Sequence, residues 1–274
     1  MDSRLPETDD TGSWSAELRA VDGPANPRPA DAQDSLQTAQ GASLAPEPLL
    51  QVLAEPDPWP QDDRLAMLLG MADGADEACY REGHSRRVAG LVRILVAEEG
   101  LPDVQVEALV IAARLHDIGK MGMPLRWIED AAHDAEALHK LREHAARSAE
   151  FVTGLPIPQA ARDAIRNHHE WWDGSGYPDG MRGADIPIGA RIIGLAEAID
   201  AATAPAPPAH AWTLAHVLAS IRSDAGRRWD PEIAARLPRV LLPALLAASR
   251  RGGMDGASAD HRWSGTSDHE ARLA

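Results

Sequence analysis

Histidine and carboxylate residues recur along this chain at positions where apolar residues would otherwise be expected. The densest group is His168-His169-Glu170, followed at once by Trp171-Trp172-Asp173-Gly174-Ser175-Gly176-Tyr177-Pro178-Asp179-Gly180. Two adjacent imidazoles cost a core more than they return unless their nitrogens are satisfied. A metal does this well, because neutral imidazole is a common ligand for Zn, Fe and Ni. His84, His116 with Asp117, His144, and Glu197 or Asp200 extend the set. A lone histidine on an apolar stripe is usually a hydrogen-bonded core residue. Several imidazoles and two or three carboxylates converging in one core carry a desolvation cost that cations relieve.

The donors are nitrogen and oxygen only, which favours Fe, Mn, Zn, Ni or Co over Cu(I) or iron–sulfur clusters. They exceed what one tetrahedral site needs, so the pattern predicts two divalent metal ions. Asp117 is the best bridge between them, since a carboxylate has two oxygens. Two metals ~3.5–4 Å apart suit hydrolysis of phosphate esters. Lys120 lies three residues beyond Asp117, and the chain has only one other lysine, Lys140. Lys120 could neutralise a phosphate or protonate a leaving group.

These residues must be positioned by helices, because the apolar period between them is helical and nearly continuous. Asp62 or Asp63 can cap a short helix carrying Leu65, Leu68, Leu69 and Met71. A helix over roughly Asp76–Glu98 places His84, Val88, Leu91 and Leu95 on one stripe and stops at Gly100. Val104–Leu115 forms another, ended by His116-Asp117-Ile118-Gly119-Lys120. Ala135–Val152 carries Leu141, His144, Ser148 and Phe151 on one face, and Pro158–His169 carries Ala161, Ile165 and His168. Ile188–Thr203 aligns Ile193, Glu197 and Asp200, and further helices are expected over Ala211–Asp224 and from Asp230-Pro231. No alternating strand pattern or internal repeat is present. The expected fold class is all-α, a helical bundle with a metal centre between its helices.

Composition bounds the rest. The chain has 274 residues and a formal net charge of −15, which argues against non-specific binding to nucleic acid or anionic membrane. Cys79 is the only cysteine, so no intramolecular disulfide can form and a reducing compartment is the natural reading. The acidic N-terminus lacks the apolar core of a secretory signal. The run Val240–Ala248 is too short to cross a bilayer and is broken by Pro243. The expected setting is therefore cytoplasmic. Residues 1–58 and 249–274 are polar, Pro- and Gly-containing segments expected to be disordered tails. Between them lie a short helical segment at 59–74 and one domain at 75–248.

His116-Asp117-Ile118-Gly119-Lys120, followed by His168-His169-Glu170 and Gly176-Tyr177-Pro178, resembles the HD-GYP family of bacterial cyclic-di-GMP phosphodiesterases within the HD hydrolase superfamily. The resemblance covers roughly 75–240. It implies an all-α fold, a two- or three-metal centre often holding iron or manganese, and hydrolysis of cyclic-di-GMP to the linear dinucleotide or GMP. It implies metal-binding roles for His84, His116, Asp117, His144, His168, His169 and Glu197, and catalytic roles for Asp117 and Lys120. Substrate contacts are implied for Lys120, Gly176, Tyr177, Pro178 and Asp200. The Gly-Tyr-Pro loop, with the aromatic surface of Trp171 and Trp172 beside it, is expected to suit a protein partner such as a diguanylate cyclase. A homodimer is compatible with the same features.

The sequence departs from the family pattern at several points. The late ligand position is Glu197 instead of Asp. Tyr80 stands where three-metal members carry Glu, which argues for two metals. Ala206-Pro207-Pro208-Ala209 replaces a segment whose basic residues hold nucleotide phosphates. Two lost charge-assisted contacts would cost roughly 1.5–3 kcal/mol each. Ala145 and Ser148, in place of Pro and Gly after His144, are expected to be minor changes. Three readings follow: an active phosphodiesterase, a weakly active or inactive homologue that works by binding, or a hydrolase of another cyclic dinucleotide or phosphate ester with Arg182, Arg191 or Arg162 rebuilding the phosphate site.

Overall fold

A computed structural model of the chain describes residues 63–243 apart from Tyr80, Glu98, 204–212 and Leu242. The two tails, Tyr80 and the Ala206–Ala209 segment therefore lie outside the described residues. Helices come in the order α1 (Asp63–Ala78), α2 (His84–Val96), α3 (Asp103–Leu115), α4 (Leu125–Glu129), α5 (Ala135–Phe151), α6 (Gln159–Arg166), α7 (Ile188–Thr203) and α8 (Leu214–Ser223), with a last helix, α9, over 231–241. Short 3-10 turns occupy Ile118–Lys120 and Gly183–Asp185. No strand forms among the described residues beyond an isolated bridge between Ala225 and Trp229. The all-α expectation holds.

At the centre lies α7. Almost every side chain from Gly189 to Thr203 is buried, as expected of a helix that is apolar on all sides. It packs against α2 on one side and α6 on another, while α3 lies against both α2 and α6. Val88, Leu91, Val92 and Leu95 of α2 meet Ile192, Ile193, Ala196 and Ile199 of α7 in one apolar cluster. Burying a side chain of this size contributes about 1.5–3 kcal/mol. The stripe of α2 that carries these residues also begins with His84, so core packing sets the depth of the histidine.

Two boundaries differ from the sequence expectation. The helix expected over Asp76–Glu98 is two helices, and the expected domain edge at 74/75 falls inside α1. Gly83 sits in the left-handed region at φ 70° and breaks the run. The buried Asp76 carboxylate then accepts the Ser85 backbone N–H at 2.8 Å, so the end of α1 caps the start of α2. The second difference is at α6, which ends at Arg166 instead of running to His169. His168 and His169 sit in the turn beyond it. At the other end of the chain, Asp230 does cap α9, its carboxylate accepting from Glu232 N at 2.8 Å.

Candidate metal centre

Each histidine of the centre owes its position to a helix end or a helix face. His84 is the first residue of α2 and His116 the residue just after α3. Asp117 follows at φ −102°, ψ 2°, a sparsely populated backbone region that turns the chain into the 3-10 segment ending at Lys120. His144 lies mid-way along α5, and Glu197 and Asp200 lie one turn apart on α7. All of these side chains are buried.

Three of the rings are held alike. Nδ1 of His116 lies 2.7 Å from the Ala113 carbonyl, that of His144 2.7 Å from Leu141 O, and that of His168 2.6 Å from Ile165 O. A carbonyl only accepts, so Nδ1 carries the proton and donates, leaving a lone pair on Nε2. Those lone pairs converge. His144 Nε2 is 3.4 Å from His168 Nε2 and 3.2 Å from His169 Nε2. The buried lone pairs of His144 and His168 repel at that distance unless a cation lies between them.

The atoms form two groups in which every donor lies within 4.8 Å of the others: His144, His168 and His169, and His84, His116, Asp117 and Glu197. Asp117 joins them. Its Oδ2 is 3.5 Å from His116 Nε2 and 3.6 Å from His84 Nε2, and its Oδ1 is 3.3 Å from His144 Nε2. His84 Nε2, His116 Nε2, Asp117 Oδ1 and Glu197 Oε1 are buried without a hydrogen-bond partner. Orphaned polar atoms of this kind carry a desolvation penalty of about 1–3 kcal/mol each, more for charged groups. Their types and convergence fit divalent metal ions, and Glu197 stands with the ligands despite its extra methylene.

Lys120 Nζ donates to Asp117 Oδ2 at 2.8 Å, whereas Lys140 pairs with Glu143 on the exposed surface of α5. Asp200, expected among the substrate contacts, is taken up by protein groups. It is 1% exposed, its Oδ2 is 2.6 Å from His84 Nδ1, and Arg87 Nε donates to its Oδ1 at 2.6 Å. Burial pushes its carboxyl up, but the hydrogen bond and charge of His84 and the charge of Arg87 outweigh burial and hold it at about 2. Asp200 therefore stands behind His84 and orients the ring.

The Gly-Tyr-Pro loop lies against the group of His144, His168 and His169. Tyr177 stacks on His169 with centroids 4.7 Å apart and planes 21° off parallel. A Cβ at Gly176 would lie 2.6 Å from Glu170 Cα and closer still to Trp171 N, so only glycine fits. Glu170 ties the loop down, its oxygens accepting from Asp179 N at 2.6 Å and Met181 N at 3.0 Å. Trp171 is not the exposed aromatic that was expected. It is 7% exposed and lies under Arg228, whose guanidinium carbon is 4.4 Å from its ring centroid. Trp172 is half-buried, and Pro178 is exposed.

Ser148 also has more to do than expected. Its hydroxyl accepts the Gly119 backbone N–H at 2.8 Å, joining the turn after Asp117 to the helix of His144. A Cβ on Gly119 would overlap the His144 carbonyl and lie 2.6 Å from Ser148 N. Of the arginines considered for a phosphate site, Arg191 is held by Asp230 at 2.6 Å and Arg162 by the Ile157 carbonyl at 2.6 Å. Two that sequence did not single out touch residues of the site: Arg81, 3.7 Å from Glu197 Oε1, and Arg142, 5.1 Å from the Tyr177 ring centroid.

A family model and several relatives match the stretch that carries these residues. A family model described as "HD domain" matches residues 75–233. A cyclic di-GMP phosphodiesterase response regulator of Xanthomonas campestris is 36% identical over 173 residues, covering 61% of this chain and 44% of that one. A cyclic di-GMP phosphodiesterase of Thermotoga maritima is 32% identical over 153 residues, covering 55% and 42%. This chain thus spans less than half the length of either relative. A crystal structure of a cyclic GMP-AMP-specific phosphodiesterase of Vibrio cholerae superposes with a TM-score of 0.53 at 18% identity, covering 68% of this chain and 52% of that one. At that identity the superposition bears on the fold alone.

Two predictions follow from the buried groups. Burial holds the imidazoles of His116, His168 and His169 below their usual 6.5, while the Asp117 carboxylate 3.6 Å away and the hydrogen bond to Asp200 outweigh burial and the Arg81 charge and raise His84. For the lowered three, the unfolded chain binds more protons as pH falls below about 6.5, so stability is lost in that direction. His84 acts oppositely, but His169, held well below its usual value, sets the direction. The lowered carboxyls of Asp117, Glu197 and Asp200 add a further loss below about pH 4. Protein stripped with chelator should show its highest Tm at pH 7 or above and a falling Tm from pH 6.5 to 5; a flat profile there contradicts the burial argument. Asp200→Ala should weaken metal affinity about 10–100-fold, as loss of a partner behind a ligand does. At saturating metal its KM should match wild type, whereas a raised KM would restore Asp200 as a substrate contact.

Proposed function

The chain belongs to the HD domain family, and from that membership we propose that it is a metal-dependent phosphodiesterase that hydrolyses cyclic-di-GMP to the linear dinucleotide or GMP, in the HD-GYP manner its motifs resemble. One observation carries the reading: buried, partnerless atoms of His84, His116 and Glu197, on three separate segments, converge with Asp117, and Lys120 points at the same carboxylate. The relatives named cyclic di-GMP phosphodiesterases support the substrate class.

His84, His116, Asp117 and Glu197 would hold one ion and His144, His168 and His169 a second, with Asp117 between them. An all-nitrogen-and-oxygen donor set favours Fe or Mn, with Zn, Ni and Co also compatible. Two such ions supply Lewis-acid polarisation of a phosphoryl oxygen and acidify water enough for attack at neutral pH. The protein's own groups do the remainder. Lys120 neutralises charge on the phosphate and donates a proton to the leaving oxygen. Asp117 holds that ammonium in place through its 2.8 Å contact. Asp200 and the carbonyls of Ala113, Leu141 and Ile165 fix the ring tautomers. Tyr177, with Gly176 and Pro178, forms the wall on the His169 side.

Two further readings have specific support. A 3′3′-cGAMP-specific phosphodiesterase of Vibrio cholerae is 31% identical over 164 residues, covering 58% of this chain and 31% of that one, which makes the mixed dinucleotide an alternative substrate. Ala206 and Ala209, where the family pattern carries basic residues, favour a binding role instead. In that case the exposed part of the loop at 178–185 would engage a protein such as a diguanylate cyclase. No helix among the described residues is long and apolar enough to cross a membrane, and a second-messenger substrate would place the domain in the cytoplasm.

With Mn or Fe(II), wild type should hydrolyse cyclic-di-GMP, and a His116→Ala/Asp117→Ala variant should lose about 10³-fold or more of the rate, the scale of removing a preorganised electrostatic element. Turnover on 3′3′-cGAMP alone would move the substrate assignment. Equal rates for wild type and variant on both would leave the binding reading in its place.

A further inference from the structure

The electrostatics of the surface single out Arg142. The chain carries 42 acidic against 27 basic residues, and several of the arginines near the site are taken up by carboxylates. Arg87 is held by Asp200, Arg166 by Asp179 and Arg191 by Asp230, each at 2.9 Å or less. Arg142 forms no hydrogen bond or ion pair with any described residue, and its Nε is buried without a partner. Its one specific contact is with the Tyr177 ring, 5.1 Å from the guanidinium carbon to the centroid.

That ring in turn stacks on His169. The order His169, Tyr177, Arg142 therefore places a partly buried cation, with no carboxylate partner among the described residues, at the edge of the metal-binding groups. A guanidinium over an aromatic ring keeps its N–H edges outward and free to donate, and it is held there without a neutralising carboxylate. Arg142 lies on α5, two residues before His144, so the helix that positions the ligand also positions the cation. A partly buried cation left unpaired in a strongly acidic protein is costly, and an anion at the site would relieve the cost.

We propose that Arg142 is a substrate-binding residue that donates to the non-bridging oxygens of the phosphodiester, supplying charge that Ala206 and Ala209 do not provide. The inference rests on the phosphodiesterase reading above. It differs from that reading in assigning phosphate recognition to α5 and the Tyr177 ring. Tyr177 acts as the platform that holds the guanidinium toward the phosphate.

The test uses the full chain loaded with Mn, and a hydrolysis-resistant bisphosphorothioate analogue of cyclic-di-GMP as probe. Arg142→Met keeps the packing on Tyr177 and removes the charge, and Arg142→Lys keeps the charge without the fork. Arg142→Met should raise the Kd roughly 10- to 100-fold, the fold-change of one charge-assisted hydrogen bond. Metal content and Tm should stay at wild-type values, and Arg142→Lys should recover part of the loss. A Kd for Arg142→Met within about twofold of wild type overturns the proposal, as does loss of metal from that variant. If wild type binds no cyclic probe, the cyclic-dinucleotide reading falls separately. Turnover of bis(p-nitrophenyl) phosphate then decides on Arg142: a raised KM in Arg142→Met sustains it, and an unchanged KM overturns it.

Discussion

The structure depends on a set of imidazoles whose outer nitrogens are used up. His116, His144 and His168 each donate Nδ1–H to the carbonyl three residues earlier. For His116 and His168 that carbonyl belongs to the last turn of a helix, where carbonyls lack intrahelical donors. One interaction thus satisfies a helix end, fixes a tautomer and turns a lone pair inward. His84 reaches the same state through the Asp200 carboxylate instead. Since Nε2 can then only accept, the interior is a concentration of acceptors and carboxylates. Such an interior has a large desolvation cost until cations enter it.

Close backbone approach makes the convergence achievable. The turn after Asp117 presses on α5 at Gly119, where no side chain fits, and Ser148 accepts the Gly119 N–H. This contact brings Asp117 to 3.3 Å from His144. The Gly-Tyr-Pro loop is fixed by similar means. Gly176 lies against the backbone of His169–Trp171, Glu170 holds the amides of Asp179 and Met181, and Asp173 N donates to Arg227 O at 2.9 Å. Tyr177 therefore meets His169 from a loop anchored at both ends.

Much of this was legible in the sequence. The 3.6-residue period marked the helices, and α7 runs over the residues its pattern gave, because a strongly apolar stretch bounded by prolines admits few alternatives. The ligand residues stood out because imidazoles on apolar faces are expensive. What sequence did not disclose depends on the third dimension. The break between α1 and α2 arises at Gly83, but Asp76 capping Ser85 across it has no local signature. Trp171 reads as exposed loop surface, yet Arg228, far along the chain, covers it. Asp200 shares a helix face with Glu197, and only the packing of α2 on α7 puts it behind His84 rather than in front of a substrate. Arg142 carries no sequence signal at all; its meaning comes from the absence of a carboxylate partner among the described residues.

The central claim is that these convergent donors are a two-ion site joined by Asp117. Metal analysis of protein reconstituted with Mn or Fe(II) under anaerobic conditions, after purification without chelator, tests it most directly. The account predicts two ions per chain, with both sites weakened by Asp117→Ala. Fewer than one ion per chain after reconstitution would contradict it, and the buried imidazoles would then need another cation to explain them.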